Sequence, residues 1–413
     1  MIISSSLRRW WRVNGGSALC ALVLSLSSAA GAQSAPAAGT IQIGKVDSIY
    51  SGTLKEQRPY LVYLPPSYRD TTYLPQRYPV LYVLDGDVHF HSLTGVLQFL
   101  SSATNGVLAM PEMIVVAIPN TDRMRDLTPT RADLDYEGKV SAVLKTTGGG
   151  PRFLQFMQGE LIPNVERTYR TAPYRVFVGH SLGGITVIDA LFSMPTAFNA
   201  YVAIDPSLWW DNRVLLRRTP AMVSTPGFAG RTLFVGQANS LQAGDTTVNV
   251  HYASIAQFNS TVSTLNQSGL RYGFKFYGGD DHGSVPLITE YDAMRFIFDA
   301  YKPDIFRALD DPSYLTAHFA KVSHQMGYTV RPPEMMLDLL GHLAMPRDTI
   351  KAIALLRSGT EQYPASANAW SSYGDALMAT SNTTQAIAAF EKALALKPAH
   401  AHAIAMLKTL RKQ

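Results

Sequence analysis

Short apolar runs recur along residues 40–302, and many of them are followed by segments with a helical pattern. The runs are rich in Val, Ile, Leu and Tyr and are bounded by turn-forming residues, which predicts strands. The predicted strands are Tyr60–Leu64, Pro79–Leu84, Met113–Ile118, Tyr174–Val178, Tyr201–Ile204, Thr232–Val235 and Phe274–Tyr277. Apolar residues at helical spacing predict helices at Arg152–Arg167, Leu182–Phe192, Val250–Asn266 and Pro286–Tyr301.

Strands that alternate with helices indicate an α/β domain with a mostly parallel central sheet, here spanning residues 40–302. The earliest predicted strands have no helix between them, which favours an antiparallel start to the sheet. The segment Leu134–Pro151 ends in a run of glycines, and we interpret it as a loop or an insertion.

After residue 302 the pattern becomes helical. We interpret 303–333 as a linker and 334–413 as a small all-α segment. Its small and large apolar residues resemble those of tetratricopeptide repeats, and the pairs Ala352/Ala386 and Pro364/Pro398 are both 34 residues apart, the length of that repeat. Two units are few for an independent binding groove, so we expect packing, homodimerisation or binding of a protein partner.

The first 32 residues have the order of a secretory signal peptide. Arg8, Arg9 and Arg12 precede an apolar stretch at 18–26, and small residues follow at 30–32. The apolar stretch is short for a membrane span, so we expect cleavage, export to the periplasm or the medium, and no membrane span in the mature chain.

Removal of this segment changes the charge and the cysteine count. It takes three of 36 basic residues and no acidic ones, leaving 33 against 31. With that balance, and without a basic stripe interleaved with aromatic residues, we expect no nucleic-acid partner. It also removes Cys20, the single cysteine, which excludes a thiolate nucleophile or a cysteine metal site in the mature protein.

The stretch YRVFVGHSLGGITVIDALF, residues 174–192, places one serine between a predicted strand and a predicted helix. Gly179 to Gly183 fit G-x-S-x-G, the pattern of a nucleophile elbow, with Ser181 at its centre. The glycines permit a tight turn, and the new helix directs backbone N–H groups at a developing oxyanion. Ser181 is therefore the candidate nucleophile.

A serine needs a base, and His282 is the candidate because it follows the last predicted strand. The acid is less well defined. Asp245 lies in the loop after Thr232–Val235, and we predict it as the third member of a catalytic triad; Asp205, after the preceding strand, is the alternative, and a dyad without a well-placed acid remains open.

Two backbone N–H groups are needed for an oxyanion hole. Leu182, the residue after the nucleophile, is predicted to supply one. The loop after an early central strand, YPVLYVLDGDVHF, is predicted to supply the other from Asp87, because Gly86 allows close approach. An ordinary strand-end turn is the alternative for this loop.

Together these stretches resemble the putative-esterase (esterase D-like) family of α/β-hydrolases, in particular its siderophore-esterase branch. The matching pieces are YPVLYVLDGD, VVAIPNTDRMRDLTPT, VFVGHSLGGITVIDALF, AIDPSLWWDN and DDHGSVPLITEYDAMRFIF, within residues 41–301. The resemblance implies an α/β-hydrolase fold and hydrolysis of carboxylic esters by Ser181 and His282. It also implies that Arg123, Arg125, Trp209 and Trp210 lie on the substrate side, although Arg125 with Asp126 equally fits a structural ion pair.

We therefore expect an exported serine esterase that acts on a small-molecule ester through an acyl-enzyme. The sequence contains no ligand cluster, so no metal or organic cofactor is expected. Two alternatives remain: an acyltransferase on the same fold, and an idle hydrolase domain that binds partners together with the repeats.

Overall fold

The computed structural model describes residues 41–102, 106–135, 138–241 and 249–412. The predicted signal peptide lies outside these residues. No helix in the described ranges is long and apolar enough to cross a membrane.

One eight-stranded sheet organises the first three quarters of the chain. Its strands are β1 Lys45–Ser51, β2 Glu56–Tyr63, β3 Tyr78–Leu84, β4 Ile114–Ile118, β5 Thr171–His180, β6 Ala200–Ile204, β7 Thr232–Ala238 and β8 Arg271–Tyr277, in the spatial order β1-β2-β4-β3-β5-β6-β7-β8. β1 and β2 pair antiparallel, β2 pairs antiparallel with β4, and the strands from β4 to β8 are parallel. The predicted antiparallel start and parallel centre are confirmed.

Helices cover both faces of the sheet, which is the α/β-hydrolase arrangement. Those of the sheet domain are α1 Gly86–Ser101, α2 Arg123–Asp126, α3 Gly150–Phe156, α4 Ile162–Thr168, α5 Leu182–Ser193, α6 Trp210–Ser224, α7 Val250–Leu265 and α8 Val285–Ile297, with a π-helical turn, Met157–Leu161, between α3 and α4. Val80, Tyr82 and Leu84 of β3 enter one core cluster and Leu81 and Val83 the other, as the two-residue period of a strand requires.

The remaining helices are α9 Ile305–Asp310, α10 Tyr314–Met326, α11 Glu334–Ala344, α12 Thr349–Gln362, α13 Ala367–Ala379, α14 Thr383–Leu396 and α15 Ala401–Leu410. The stretch 303–333, interpreted from sequence as a linker, contains α9 and α10. Phe319 of α10 and Leu337 of α11 belong to the same buried cluster as Val176 of β5, so these helices pack on the sheet domain.

The helical segment repeats one contact. A Cβ added to Gly341 of α11 would lie 2.3 Å from Leu356 Cγ, and one added to Gly374 of α13 would lie 2.7 Å from Phe390 Cε1. In both places a glycine on one helix leaves room for a large apolar side chain of the next helix. The contact is compatible with the predicted tetratricopeptide repeats.

The helical segment also holds the loop that leads into β3. Leu74 N–H donates a hydrogen bond to Glu334 Oε2 at 3.0 Å, and Tyr73 Oη donates to Asp338 Oδ2 at 3.0 Å. Glu334 is 6% exposed, so these bonds are sheltered from water and connect α11 to the sheet domain.

Candidate active site

Ser181 lies in a sharp turn between β5 and α5. Its φ of 58° and ψ of −112° fall outside the regions that ordinary residues occupy. A Cβ on Gly179 would lie 2.4 Å from Gly183 O, so the two sides of the turn can approach only because residue 179 is glycine. Ser181 N–H donates to Ile204 O at 2.9 Å, which fixes the turn against β6.

His282 contacts both Ser181 and Asp205. Its Nε2 lies 3.1 Å from Ser181 Oγ, and its Nδ1 lies 2.6 Å from Asp205 Oδ2. The three side chains therefore form a continuous hydrogen-bonded chain in the order serine, histidine, carboxylate. Since β5, β6 and β8 are parallel, their carboxyl ends meet at one edge of the sheet, and the residues that follow these strands come together there.

Asp205 is held rigidly at the end of β6. Its side chain is fully buried, its φ is 39°, and its Oδ1 accepts a hydrogen bond from Ala238 N–H at 2.9 Å. Burial alone would raise the pKa of this carboxyl. Hydrogen bonds from His251 and His282 outweigh burial and hold the pKa well below its ordinary value, so Asp205 is ionised at neutral pH.

Asp245, the acid predicted from sequence, lies outside the described residues. Asp205, the alternative, occupies the position beside His282 Nδ1. This nitrogen carries at most one proton, which the 2.6 Å contact directs to Asp205. The chain order serine, acid, histidine is retained with Asp205 in the middle place.

The two predicted oxyanion donors lie at the starts of neighbouring helices. α5 begins at Leu182, and α1 begins at Gly86. β3 and β5 are adjacent and parallel, so these helix starts are side by side, and a Cβ on Gly183 would lie 3.4 Å from Asp85 Oδ2. Asp87 precedes Val88 and His89, whose N–H groups donate to Asp85 O, so its own N–H is a first-turn donor without a helical acceptor.

Arg123 stabilises the loop that carries Asp87. Its Nε and one terminal nitrogen donate to the two oxygens of Asp85 at 2.6 and 3.0 Å, and Asn120 Nδ2 adds a bond to Oδ1 at 2.7 Å. Asp85 has a φ of 51°, so these bonds hold it in the left-handed region, which aspartate enters more readily than most residues. The Arg123 side chain is one third exposed.

Arg125 belongs to a partly buried network of ion pairs. It donates to both oxygens of Glu56 and to Asp126, and Arg58, which is 2% exposed, joins the same acids. The hydrogen bond from Arg125 lowers the pKa of Glu56 to about 2. Arg125 therefore forms the structural ion pair with Asp126 that the sequence analysis gave as the alternative to a place on the substrate side.

The two predicted tryptophans differ in exposure. Trp210 is 1% exposed and its Nε1 donates to Thr130 O at 3.1 Å, which leaves its indole no surface for a substrate. Trp209 is partly exposed and lies against Trp210 with ring centroids 5.7 Å apart.

Two residues at the site were not predicted from the sequence. Ser207 Oγ lies 3.3 Å from Ser181 Oγ, and His251 Nε2 lies 2.9 Å from Asp205 Oδ2. His251 stands in the first turn of α7, 46 residues from Asp205. No local pattern marks it, and only the pairing of β6 with β7 brings the two side chains together.

A third histidine, His180, packs against His282. The ring of His180 lies 4.5 Å from that of His282, and burial together with this neighbour lowers the pKa of His180 to about 4. His180 is therefore uncharged at neutral pH and adds no positive charge beside His282.

Asp205, His251 and His282 are the one set of metal-ligand type found within the described ranges. Asp205 Oδ2 lies 2.6 and 2.9 Å from the two ring nitrogens. Ligand atoms on a tetrahedral zinc ion are about 3.3 Å apart, so these separations are those of hydrogen bonds.

Comparison with known proteins gives the family. A family model described as "Putative esterase" matches residues 51–271, more than half of the chain. The chain belongs to this family. It is a carboxylic ester hydrolase, as the resemblance of its motifs implied.

Individual relatives agree with this assignment. The chain is 29% identical over 262 residues to the ferri-bacillibactin esterase of Bacillus subtilis, covering 60% of this chain and 87% of that one. It is 26% identical over 153 residues to the siderophore triacetylfusarinine C esterase of Aspergillus fumigatus, covering 36% of this chain and 50% of that enzyme. Among solved structures, an IroE-like serine hydrolase from Shewanella oneidensis is 31% identical with a TM-score of 0.69, covering 78% of this chain and 99% of the other.

Proposed function

We propose that this protein is an exported serine esterase that cleaves carboxylic esters through an acyl-enzyme, with Ser181 as nucleophile, His282 as general base and Asp205 as the acid of the triad. The observation that carries the proposal is the chain Ser181 Oγ, His282 Nε2, His282 Nδ1 and Asp205 Oδ2, joined by contacts of 3.1 and 2.6 Å. Export rests on the sequence pattern of residues 1–32.

In the first half-reaction, His282 Nε2 takes the proton of Ser181 as Oγ attacks the ester carbonyl carbon. The ionised Asp205 holds the ring in the tautomer that leaves Nε2 free to accept this proton and stabilises the imidazolium that forms. The N–H groups of Leu182 and Asp87 face the developing oxyanion. His282 then protonates the departing alcohol oxygen, and the acyl group remains on Ser181.

In the second half-reaction, a water molecule replaces the alcohol. His282 removes a proton from the water, the hydroxide attacks the acyl carbon, and the carboxylic acid leaves as Ser181 recovers its proton. The His282 side chain is 45% exposed, so water reaches it directly. This exposure favours hydrolysis over transfer to a second alcohol.

The substrate class follows from the relatives and not from the site. The named relatives of B. subtilis and A. fumigatus are siderophore esterases, so we propose small siderophore-type esters as substrates. Arg123 and Trp209, both from the sequence prediction, have partly exposed side chains, and we propose that this exposed surface contacts an anionic or aromatic group of the substrate.

Labelling with a fluorophosphonate and release of nitrophenol from short-chain esters test the mechanism. Wild-type protein is expected to be labelled and active, and Ser181→Ala to lose both. Ser193→Ala is the matched control, because its hydroxyl lies on the same helix and donates to Asp189 O. Wild-type protein without label or turnover, or a Ser181→Ala variant that retains them, would overturn the proposal.

A further inference from the structure

The carboxylate of Asp205 is shared by two histidines. Oδ2 lies 2.6 Å from His282 Nδ1 and 2.9 Å from His251 Nε2, whereas Oδ1 accepts from the backbone of Ala238. A triad needs one of these side-chain contacts only. The second histidine is therefore an addition that the proposed mechanism does not use.

Hydrogen bonds at the start of α7 hold His251 in place as a donor to Asp205. It lies in the first turn of α7, where Asn249 caps the helix by accepting from Tyr252 N–H at 2.8 Å. Asn249 also donates to Ser240 O at 2.9 Å, which connects this turn to the segment that follows β7. The His251 side chain is 15% exposed, so its position is set by packing and by these bonds.

His251 also limits the movement of the catalytic ring. The rings of His251 and His282 are 5.2 Å apart and nearly perpendicular, at 87°. On another side, the ring of His180 lies 4.5 Å from His282. Since the His282 side chain is almost half exposed, these two neighbours restrict a ring that solvent would otherwise leave free to rotate.

We infer that His251 is a positioning residue of the esterase, which fixes the Asp205 carboxylate and the ring plane of His282 without touching the substrate. The inference rests on the proposed function. Its Nε2–H donates to Oδ2 beside the Nδ1–H of His282, so the shared oxygen cannot turn away from the base. His251 and His282 hydrogen-bond to Asp205, and His180 interacts with it electrostatically.

The test replaces His251 by Phe, which keeps a ring but removes the donor, and by Gln, which keeps a donor. We expect His251→Phe to lower kcat about tenfold with KM unchanged. We also expect the acidic limb of its kcat/KM profile to move to higher pH, because an Asp205 carboxylate that no longer accepts from His251 stabilises the imidazolium of His282 more strongly. His251→Gln is expected to recover most of both effects.

Folding is checked by thermal unfolding and fluorophosphonate labelling. If wild-type protein is active and Ser181→Ala is inactive, but His251→Phe keeps the wild-type kcat and pH profile, the positioning role is overturned while the esterase mechanism stands. An equal loss in His251→Phe and His251→Gln, with an unchanged pH profile, would also overturn it, since that is the result of a purely structural role. An inactive wild-type protein contradicts the proposed function instead.

Discussion

Glu290 Oε1 lies 3.0 Å from His89 Nδ1, and both side chains are buried between α1 and α8. His89 is 6% exposed and Glu290 is fully buried, so the fold encloses the pair. The ring centroids of His89 and His180 are 6.0 Å apart, and His180 in turn packs against His282.

This pair predicts a pH dependence of stability. Burial raises the pKa of Glu290; burial alone would lower that of His89, but the bond to Glu290 raises it. A group whose pKa is higher in the folded than in the unfolded protein stabilises the fold at pH values below its unfolded pKa. This stabilisation is lost as the pH rises through the folded pKa. We expect the free energy of unfolding to fall as pH rises above 6.5, the ordinary value of histidine, and to fall less in Glu290→Gln.

Denaturant unfolding at about pH 6 and about pH 9 measures this difference. Glu391→Gln is the control, because Glu391 forms an exposed pair with Arg411 and should follow the wild type. Equal pH dependence in wild type and Glu290→Gln would contradict the assignment.

Replacing the acid should separate the two candidates from the sequence. Asp205→Asn is expected to lower kcat by about 10³ to 10⁴-fold, because an amide at this place stabilises neither the required tautomer nor the imidazolium. Asp245→Asn is expected to stay within about threefold of wild type, a change small beside the loss of a triad member. Steady-state kinetics with a nitrophenyl ester gives both values; the reverse order would restore Asp245 as the acid.

Arg123 should act on kcat through the oxyanion loop. Arg123→Met removes the two bonds to Asp85, and we expect kcat to fall about 10 to 100-fold, as when an oxyanion donor is misplaced, with little change in KM for a neutral ester. Arg131→Met, at an exposed arginine, is the matched control. A rise in KM with kcat unchanged would instead make Arg123 a substrate-binding residue.

The repeated glycine contact predicts a stability effect without loss of activity. Gly374→Ala places a methyl group 2.7 Å from Phe390, and overpacking of this kind costs about 1–3 kcal/mol. Gly359→Ala is the control, because its Cβ would meet Ala369 Cβ at 4.0 Å and alanine favours a helix. Thermal unfolding should show a lower Tm for Gly374→Ala alone; equal Tm values would show that the contact is loose.

The order of the central elements was predictable because buried strands and amphipathic helices carry their own periodicity. β1 was missed because Val46 and Tyr50 of this edge strand are exposed, so it lacks an apolar run. α1 was missed because its first turn, DGDVHFH, reads as a polar loop. The motif around Ser181 and the position of His282 were visible in the sequence.

The acid and its second histidine were not fixed by local patterns. Asp205 lies beside the turn of Ser181 because Ile204 pairs with His180 at the end of β5, and it reaches His282 across the edge of β7. His251 then reaches the same oxygen from the next helix. Contacts of this kind depend on sheet order and on backbone conformation at single residues, which one sequence does not encode as a motif.

The hydrogen bonds that Glu334 and Asp338 accept from the loop before β3 connect the C-terminal helices to a strand that leads to the site. β3 runs from that loop to Asp85, where the turn with the proposed oxyanion donor, Asp87, begins. Two hydrogen bonds and one strand thus link α11 to the turn that carries Asp85 and Asp87. The C-terminal quarter of the chain is in this way part of the framework that positions the proposed oxyanion donor.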